Sequence, residues 1–316
     1  MYDIIIIGSG PAGMTAGIYA ARREMKTLIV GKELGGQVAL ASEIENYPGF
    51  KTIGALDLVY KMKEQVETLG VEIKGAEVKE IKKQEDGTFE LMTEKENLKA
   101  KTVLIAMGLS PRRLEIKGET EFNGKGVSYC ANCDGPLFKD KVVAVVGGGN
   151  SALDAAEMLS KIAKEVYLVH RRDEYRAFEA LIREVEEREN IHELKNSEIS
   201  EIKGKEKVEK ITIHNNKEKT NKDIEVDGVF IEVGRIAHTD FLDELVDREK
   251  NSQIIVDSSC KTKTPGLFAG GDVVNSEYKQ ITVAIGSATT AALSAYQYLQ
   301  LQAGEKKKII LDRGAK

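Results

Sequence analysis

The sequence predicts an α/β protein containing two similar strand–glycine loop–helix units. Three observations point there. Short β-branched runs alternate with helical stretches along the chain. A G-x-G-x-x-G/A motif occurs twice, at Gly8 and at Gly147, an offset of 139 residues. A C-x-x-C pair stands just before the second copy. A length of 316 residues, at about 150 per domain, leaves room for two cores.

The first copy opens with the apolar run Tyr2 to Ile7, expected as a central parallel strand buried on both faces. It leads into Gly8-Ser9-Gly10-Pro11-Ala12-Gly13 and an Ala-rich helix from Met14 to Arg23. Strand, glycines and helix in this order form a dinucleotide fingerprint. Gly8 permits the turn, Gly10 admits a pyrophosphate, and Gly13 lets the helix pack close to the strand. Lys26 to Val30 is the second strand; Gly31 and Lys32 follow it, where an acid usually meets a ribose. Leu34-Gly35-Gly36-Gln37 and Glu45-Asn46-Tyr47-Pro48-Gly49 read as loops. Leu56 to Leu69 is helical, Val71 to Thr93 forms strands around an Asp86-Gly87 turn, and Thr102 to Ala106 is a buried strand before Met107-Gly108.

After a polar link at Glu115 to Asn123 comes Cys130-Ala131-Asn132-Cys133-Asp134. Such a pair can close a small disulfide, and an acid beside it can move a proton during thiol exchange. The same spacing suits half a zinc site. Zinc needs two further ligands, yet Cys260 stands alone and His170, His192, His214 and His238 are scattered, so no metal is expected.

The second copy runs Val142 to Val146, then Gly147-Gly148-Gly149-Asn150-Ser151-Ala152 and a helix to about Lys164. Its second strand, Val166 to Val169, ends in His170-Arg171-Arg172, with Arg176 one turn on. Clustered guanidinium groups there fit a 2′-phosphate, so NADPH is expected rather than NADH. Further on, Ile224 to Val233 reads as a strand closing at Gly234. Thr264 to Val273 reads as another, ending around Gly271 and Asp272, whose carboxylate can accept from a sugar or ribityl hydroxyl. Lys279-Gln280-Ile281 opens a long small-residue helix to about Leu301.

Net charge of −5 gives no field that would draw nucleic acid or an anionic membrane. The Lys-rich run at Glu305 to Lys308 reads as a solvated face. No apolar run reaches the ~18 residues of a membrane span. Ile4 to Ile7 lacks the basic flank and cleavage site of a signal peptide, and three cysteines without an export signal suggest a reducing cytoplasm.

Taken together, GSGPAG, GGQ, ENYPG, CANCDG, GGGNSA, HRRDEYRA and GLFAGGDV stand in the order found in the low-molecular-weight thioredoxin reductases, which the chain resembles over essentially its whole length. The resemblance implies two Rossmann-like three-layer domains, the second inserted into the first: an FAD domain at 1–114 and 244–316, and an NADPH domain at 115–243. It implies FAD contacts at Gly8, Ser9, Gly10, Pro11, Ala12, Gly13, Gly31, Lys32, Gly35, Gly36, Gln37, Asn46, Val78, Ala106, Gly108, Gly271, Asp272, Lys279, Gln280 and Ile281. NADPH contacts are implied at Gly147, Gly149, Asn150, Ser151, Ala152, His170, Arg171, Arg172, Arg176 and Gly234.

The implied activity passes electrons from NADPH through FAD to a Cys130–Cys133 disulfide and on to thioredoxin or a thioredoxin-like protein. Cys133 would face the flavin, Cys130 would attack the partner, and Asp134 would act as general acid. The family rotates its NADPH domain on two links, which would lie near Leu114 to Lys117 and Thr239 to Asp243, and it is homodimeric. The chain departs from the family at Lys279-Gln280-Ile281 (usually R-Q-A), at Asn150 (usually Asp) and at Val233-Gly234-Arg235-Ile236-Ala237 (usually I-G-x-x-P). CDGPLF and GGGNSA also resemble the flavoprotein component of alkyl hydroperoxide reductase, which uses NADH. A glutaredoxin-like or peroxiredoxin-linked partner, or a ferredoxin-linked reductase of the same fold, is therefore the alternative.

Overall fold

The computed structural model describes residues 1–40, 43–249 and 251–305, excluding the side chains of Leu40 and Cys133. The chain divides into two compact units: residues 1–110 with the return segment from 236 onward, and residues 111–235.

In the first unit β1 (Tyr2–Ile7) lies between two parallel neighbours, β2 (Thr27–Val30) and β6 (Asn97–Ile105). Strand periodicity splits its isoleucines. Ile4 and Ile6 join the core beneath α1 (Pro11–Ala21) and α2 (Ala55–Thr68), while Ile5 and Ile7 join a second core on the opposite face. β3 (Glu72–Lys74) extends the sheet beyond β2. β4 (Val78–Lys83) and β5 (Phe89–Thr93) form the expected hairpin beside β6, with Gly87 at φ +83° in the turn. β6 starts five residues before the strand read from its apolar run. Its first half alternates exposed and buried because it pairs with the hairpin, and only Thr102 to Ile105 is continuously buried.

In the second unit β7 (Val127–Ser128) leads to the short helix α3 (Ala131–Asp134). Then follow β8 (Val142–Val146), α4 (Asn150–Ser160), β9 (Glu165–Val169), α5 (Glu179–Glu186) and β10 (Ile191–Leu194). A three-stranded antiparallel sheet, β11 (Ser197–Gly204), β12 (Val208–Asn215) and β13 (Thr220–Glu225), packs Ile199, Ile202, Ile211 and Ile224 against the back of β8. β14 (Gly228–Ile231) then enters the parallel sheet, whose order is β7-β14-β8-β9-β10. The single strand expected over Ile224 to Val233 is therefore two strands. The Asp227 carboxylate accepts from Val142 N at 3.0 Å and turns the chain between them. The polar link expected at 115–123 is a packed part of this unit: Glu119 and Phe122 are buried.

The return segment supplies β15 (Leu267–Ala269), parallel to the end of β6, and α6 (Ile281–Gln302), whose Ala288, Ala291, Ala292 and Ala295 pack in the core with α1. The strand expected over Thr264 to Val273 shrinks to these three residues, because the glycines beyond Ala269 leave the ladder. Thr239 and Leu242, placed by sequence in a link, are fully buried in the first unit. Among the described residues no helix is long and apolar enough to cross a membrane.

Candidate functional site

Each unit places its glycine turn at the carboxyl ends of its parallel strands, where open α/β sheets bind ligands. In the first unit Gly8 follows β1, Gly31 follows β2, Ala106 follows β6, and Gly271-Asp272 follows β15. Gly8 sits at φ +119°, and a Cβ there would lie 2.4 Å from the Ala106 oxygen. A Cβ on Gly13 would lie 1.8 Å from the Gly8 oxygen, so helix and strand touch backbone to backbone. Gly10 differs: its φ is −81°, and a Cβ there meets no protein atom nearer than 3.7 Å. The protein leaves this glycine open, as a cradle for a closely approaching ligand requires. α1 begins with Pro11 and lacks a side-chain cap or a first-turn acid, so its first amides remain available to an anion.

Neighbouring loops are tied to this turn. Ser9 O accepts from Gly35 N at 2.8 Å, Ser9 Oγ donates to Glu33 O at 2.9 Å, and a side chain on Gly31 would strike Ser9 Oγ. These contacts bring Gly35, Gly36 and Gln37 beside the glycine turn, with the Gln37 amide donating to Leu109 O. Asn46 Nδ2 donates to Gln280 Oε1 at 3.1 Å. Lys279 Nζ donates to Asp272 O at 3.0 Å and Val274 O at 2.8 Å; burial lowers its pKa. Gly271 N donates to Ser287 Oγ, and a Cβ on Gly271 would lie 2.8 Å from that of Ala12. Ile281 opens α6, Gly108 takes φ +69°, and Lys32 is paired with Glu77 at 3.6 Å. The Val78 side chain lies in the core.

In the second unit Gly147 takes φ +151°, and a Cβ there would meet the Glu232 oxygen and the Ala152 methyl. Gly149 repeats the behaviour of Gly10, with φ −104° and no protein atom within 3.9 Å of an added Cβ. Asn150 Oδ1 accepts from Phe178 N at 2.8 Å, and Ser151 continues the uncapped first turn of α4. His170 is buried beneath Gly148, where its ring fills the space a side chain would need. Its Nε2 lies 3.0 Å from Glu174 O, and burial, helped by Arg172 and Arg171, depresses its pKa. It braces the glycine loop. The Arg171 and Arg176 side chains are exposed and Arg172 is half-buried; Arg176 N donates to Gly148 O at 2.7 Å. Gly234 takes φ +96° and its oxygen accepts from Arg112 N.

The C-x-x-C segment leaves the same sheet from β7. Ser128 Oγ accepts from Cys130 N at 3.0 Å and donates to Cys130 O at 3.2 Å, and Asp134 N donates to Cys130 O at 3.2 Å. Cys130 is half-buried and disulfide-bonded; Cys260 is a buried free thiol. Cys133 lies on α3, and its side chain falls outside the described residues. Phe138 anchors the far end by packing edge-on against Phe230, with centroids 5.2 Å apart.

Sequence reading missed three residues here: Ser128, Glu119 and Glu232. The Glu119 carboxylate accepts from Leu114 N, Glu115 N and the Tyr129 hydroxyl. Burial pushes the Glu232 carboxyl up to about 7, against the pull of Arg235. A charged residue directly after the fully buried β14 was the available signal.

The sequence matches the pyridine nucleotide-disulphide oxidoreductase family over residues 2–288. The chain belongs to that family. It is 41% identical over 301 residues to the thioredoxin reductase of Borreliella burgdorferi, covering 94% of this chain and 92% of that one. It is 38% identical to the NADH dehydrogenase of Bacillus subtilis, covering 94% of this chain but only 58% of that protein, so the chain spans little more than half of that relative's length. The crystal structure of Lactococcus lactis thioredoxin reductase (FR conformation) superposes with a TM-score of 0.83 at 40% identity, covering 95% of this chain and 99% of that one. This pyridine nucleotide-disulphide oxidoreductase is thus a flavoprotein of the thioredoxin reductase family, with the α/β fold and parallel-rich sheets its sequence predicts.

Proposed function

We propose that the chain is a flavoprotein disulfide reductase that uses NADPH and FAD to reduce a thioredoxin-like protein. One observation carries this reading: disulfide-bonded Cys130 leaves the same sheet end that carries Gly147 to Ala152 and the His170-Arg171-Arg172 cluster. A cysteine in a disulfide is not a zinc thiolate, which disfavours the metal alternative.

When bound, the two cofactors supply two-electron transfer. Gly10 and the first turn of α1 hold the pyrophosphate of FAD, and Asp272 accepts from its ribityl chain. Gly149 and α4 hold the second pyrophosphate, while Arg171, Arg172 and Arg176 receive the 2′-phosphate. Reduction opens the Cys130–Cys133 bridge. Cys130, as thiolate, attacks one sulfur of the partner disulfide, and Asp134 gives a proton to the thiolate that leaves. Cys133 then attacks Cys130, restoring the bridge and releasing the second partner sulfur as thiolate. A homodimer in a reducing cytoplasm completes the proposal.

A second reading, with NADH and a peroxiredoxin-linked partner, is favoured by the identity to NADH dehydrogenase and by the 36% identity to an alkyl hydroperoxide reductase component of Pseudomonas putida. Steady-state turnover with each nucleotide against a panel of thioredoxin-like proteins separates the two. NADPH-driven reduction of a thioredoxin-like disulfide is expected; turnover with NADH alone selects the second reading, and a flavin bleached by neither sinks both.

A further inference from the structure

Between β15 and α6 the chain passes Gly271 and Asp272 and is held against the segment around Ile254. Val273 O accepts from Ile254 N at 2.9 Å, and Ile254 O accepts from Asn275 N at 3.0 Å. Ile254 and Val273 are fully buried in the core of that face. The oxygens of Asp272 and Val274 take no part in this pairing and are met by side chains. Gln253 Nε2 donates to Asp272 O at 3.2 Å and to Val274 O at 2.8 Å. Lys279 Nζ donates to the same two oxygens, at 3.0 Å and 2.8 Å. One side chain comes from the segment before β15 and the other from the mouth of α6, so separate parts of the chain close on a single pair of carbonyls.

We propose that Gln253 is a positioning residue of the flavin site, fixing through the Asp272 carbonyl the backbone that presents the Asp272 carboxylate. The proposal rests on the flavoprotein reading above, in which that carboxylate accepts from the ribityl chain. An acceptor fixed before its ligand arrives spares the complex the cost of ordering it.

Asp272 needs such an anchor. Gly270 and Gly271 precede it, and glycine lends the backbone little preference of its own; Gly271 takes φ +82°. Gly271 N donates to Ser287 Oγ at 2.8 Å, which fixes the chain just before Asp272. The clamp on the Asp272 carbonyl fixes it just after. The two halves of the clamp differ in rigidity. Gln253 is 9% exposed, and its own carbonyl accepts from Glu249 N at 2.9 Å. Lys279 is half-buried, follows the exposed Glu277 and Tyr278, and carries its ammonium on a flexible four-carbon stem. The lysine spends two of its three N–H donors on these carbonyls, so it too acts here on backbone. The glutamine supplies the rigid half.

The test uses the flavin-loaded protein, diluted in steps, with released FAD read by its fluorescence to give a dissociation constant. Asp272→Ala should raise that constant about thirtyfold, as for loss of a hydrogen bond to a charged group. Gln253→Leu keeps a side chain of similar bulk in the core and removes both donations. It should raise the constant about tenfold while Asp272 is present. In the Asp272→Ala background the same change should move it less than about twofold, since the residue it positions is gone. A merely structural glutamine would weaken flavin binding equally in both backgrounds, and that result overturns the proposal. Wild-type affinity in Gln253→Leu, with flavin lost from Asp272→Ala, also overturns it and leaves the flavoprotein reading standing. Wild-type affinity in Asp272→Ala removes the ribityl assignment, and this inference with it. Gln253→Met, flexible enough to refill the space, decides the matter if Gln253→Leu does not fold.

Discussion

The Tyr129 hydroxyl donates to Glu119 Oε1 at 2.7 Å, tying the residue before Cys130 to a buried carboxylate that also accepts from Leu114 N and Glu115 N. Burial and hydrogen bonding to Glu119 both raise the Tyr129 pKa, so the phenol stays protonated and donates. Tyr129→Phe removes one donor, and a loss of about 1 kcal/mol is expected. Glu119→Ala strands two backbone amides and a phenol, and about 3 kcal/mol is expected. Urea denaturation of the two variants checks the order; equal losses would show that Glu119 does not gather these donors.

Gly10 and Gly13 should fail in different ways. Gly13→Ala places a methyl 1.8 Å from a backbone oxygen and should destabilise the first unit by more than about 3 kcal/mol. Gly10→Ala meets protein atoms only at ordinary van der Waals distance and keeps an ordinary φ, so its melting temperature without flavin should match wild type while flavin content falls at least tenfold. Visible absorbance and circular dichroism separate these outcomes. Full flavin loading in Gly10→Ala would remove the cradle.

For the second nucleotide, Arg171→Ala and Arg172→Ala should raise the Michaelis constant for NADPH about tenfold or more while hardly moving that for NADH. Equal effects on both nucleotides would leave no basis for a 2′-phosphate site.

The buried His170 gives a pH prediction. Its folded pKa lies below the ordinary 6.5, so the unfolded chain takes up a proton first as the solution is acidified. Its contribution to stability is present above pH 6.5 and is lost as pH falls through that value towards the folded pKa. Melting temperatures measured between pH 8 and pH 5 should fall less steeply for His170→Gln than for wild type. Parallel slopes would mean that the imidazole is not held neutral.

Cys130→Ser should abolish disulfide turnover and leave bleaching of the flavin by NADPH intact. Anaerobic stopped-flow absorbance reads both. Loss of bleaching in this variant would place Cys130 in the nicotinamide or flavin site instead.

The sequence by itself determined β1, β2, β8 and β9, the two glycine turns and the thiol pair. Their signals are local: Ile4 to Ile7 report burial, and glycines at fixed offsets report a turn that only glycine fits. The basic run after Val169 was equally legible, though the burial of His170 under Gly148 was not. Tertiary structure decided what depends on partners distant in the chain. It returned Leu267 to Ala269 to the edge of β6 and laid the small residues of α6 along α1. It turned the polar stretch around Glu119 into a buried clamp on Tyr129. In the sequence Glu119 looks like any surface glutamate. A carboxylate's role depends on which amides and hydroxyls surround it, and here those come from separate segments that only folding brings together.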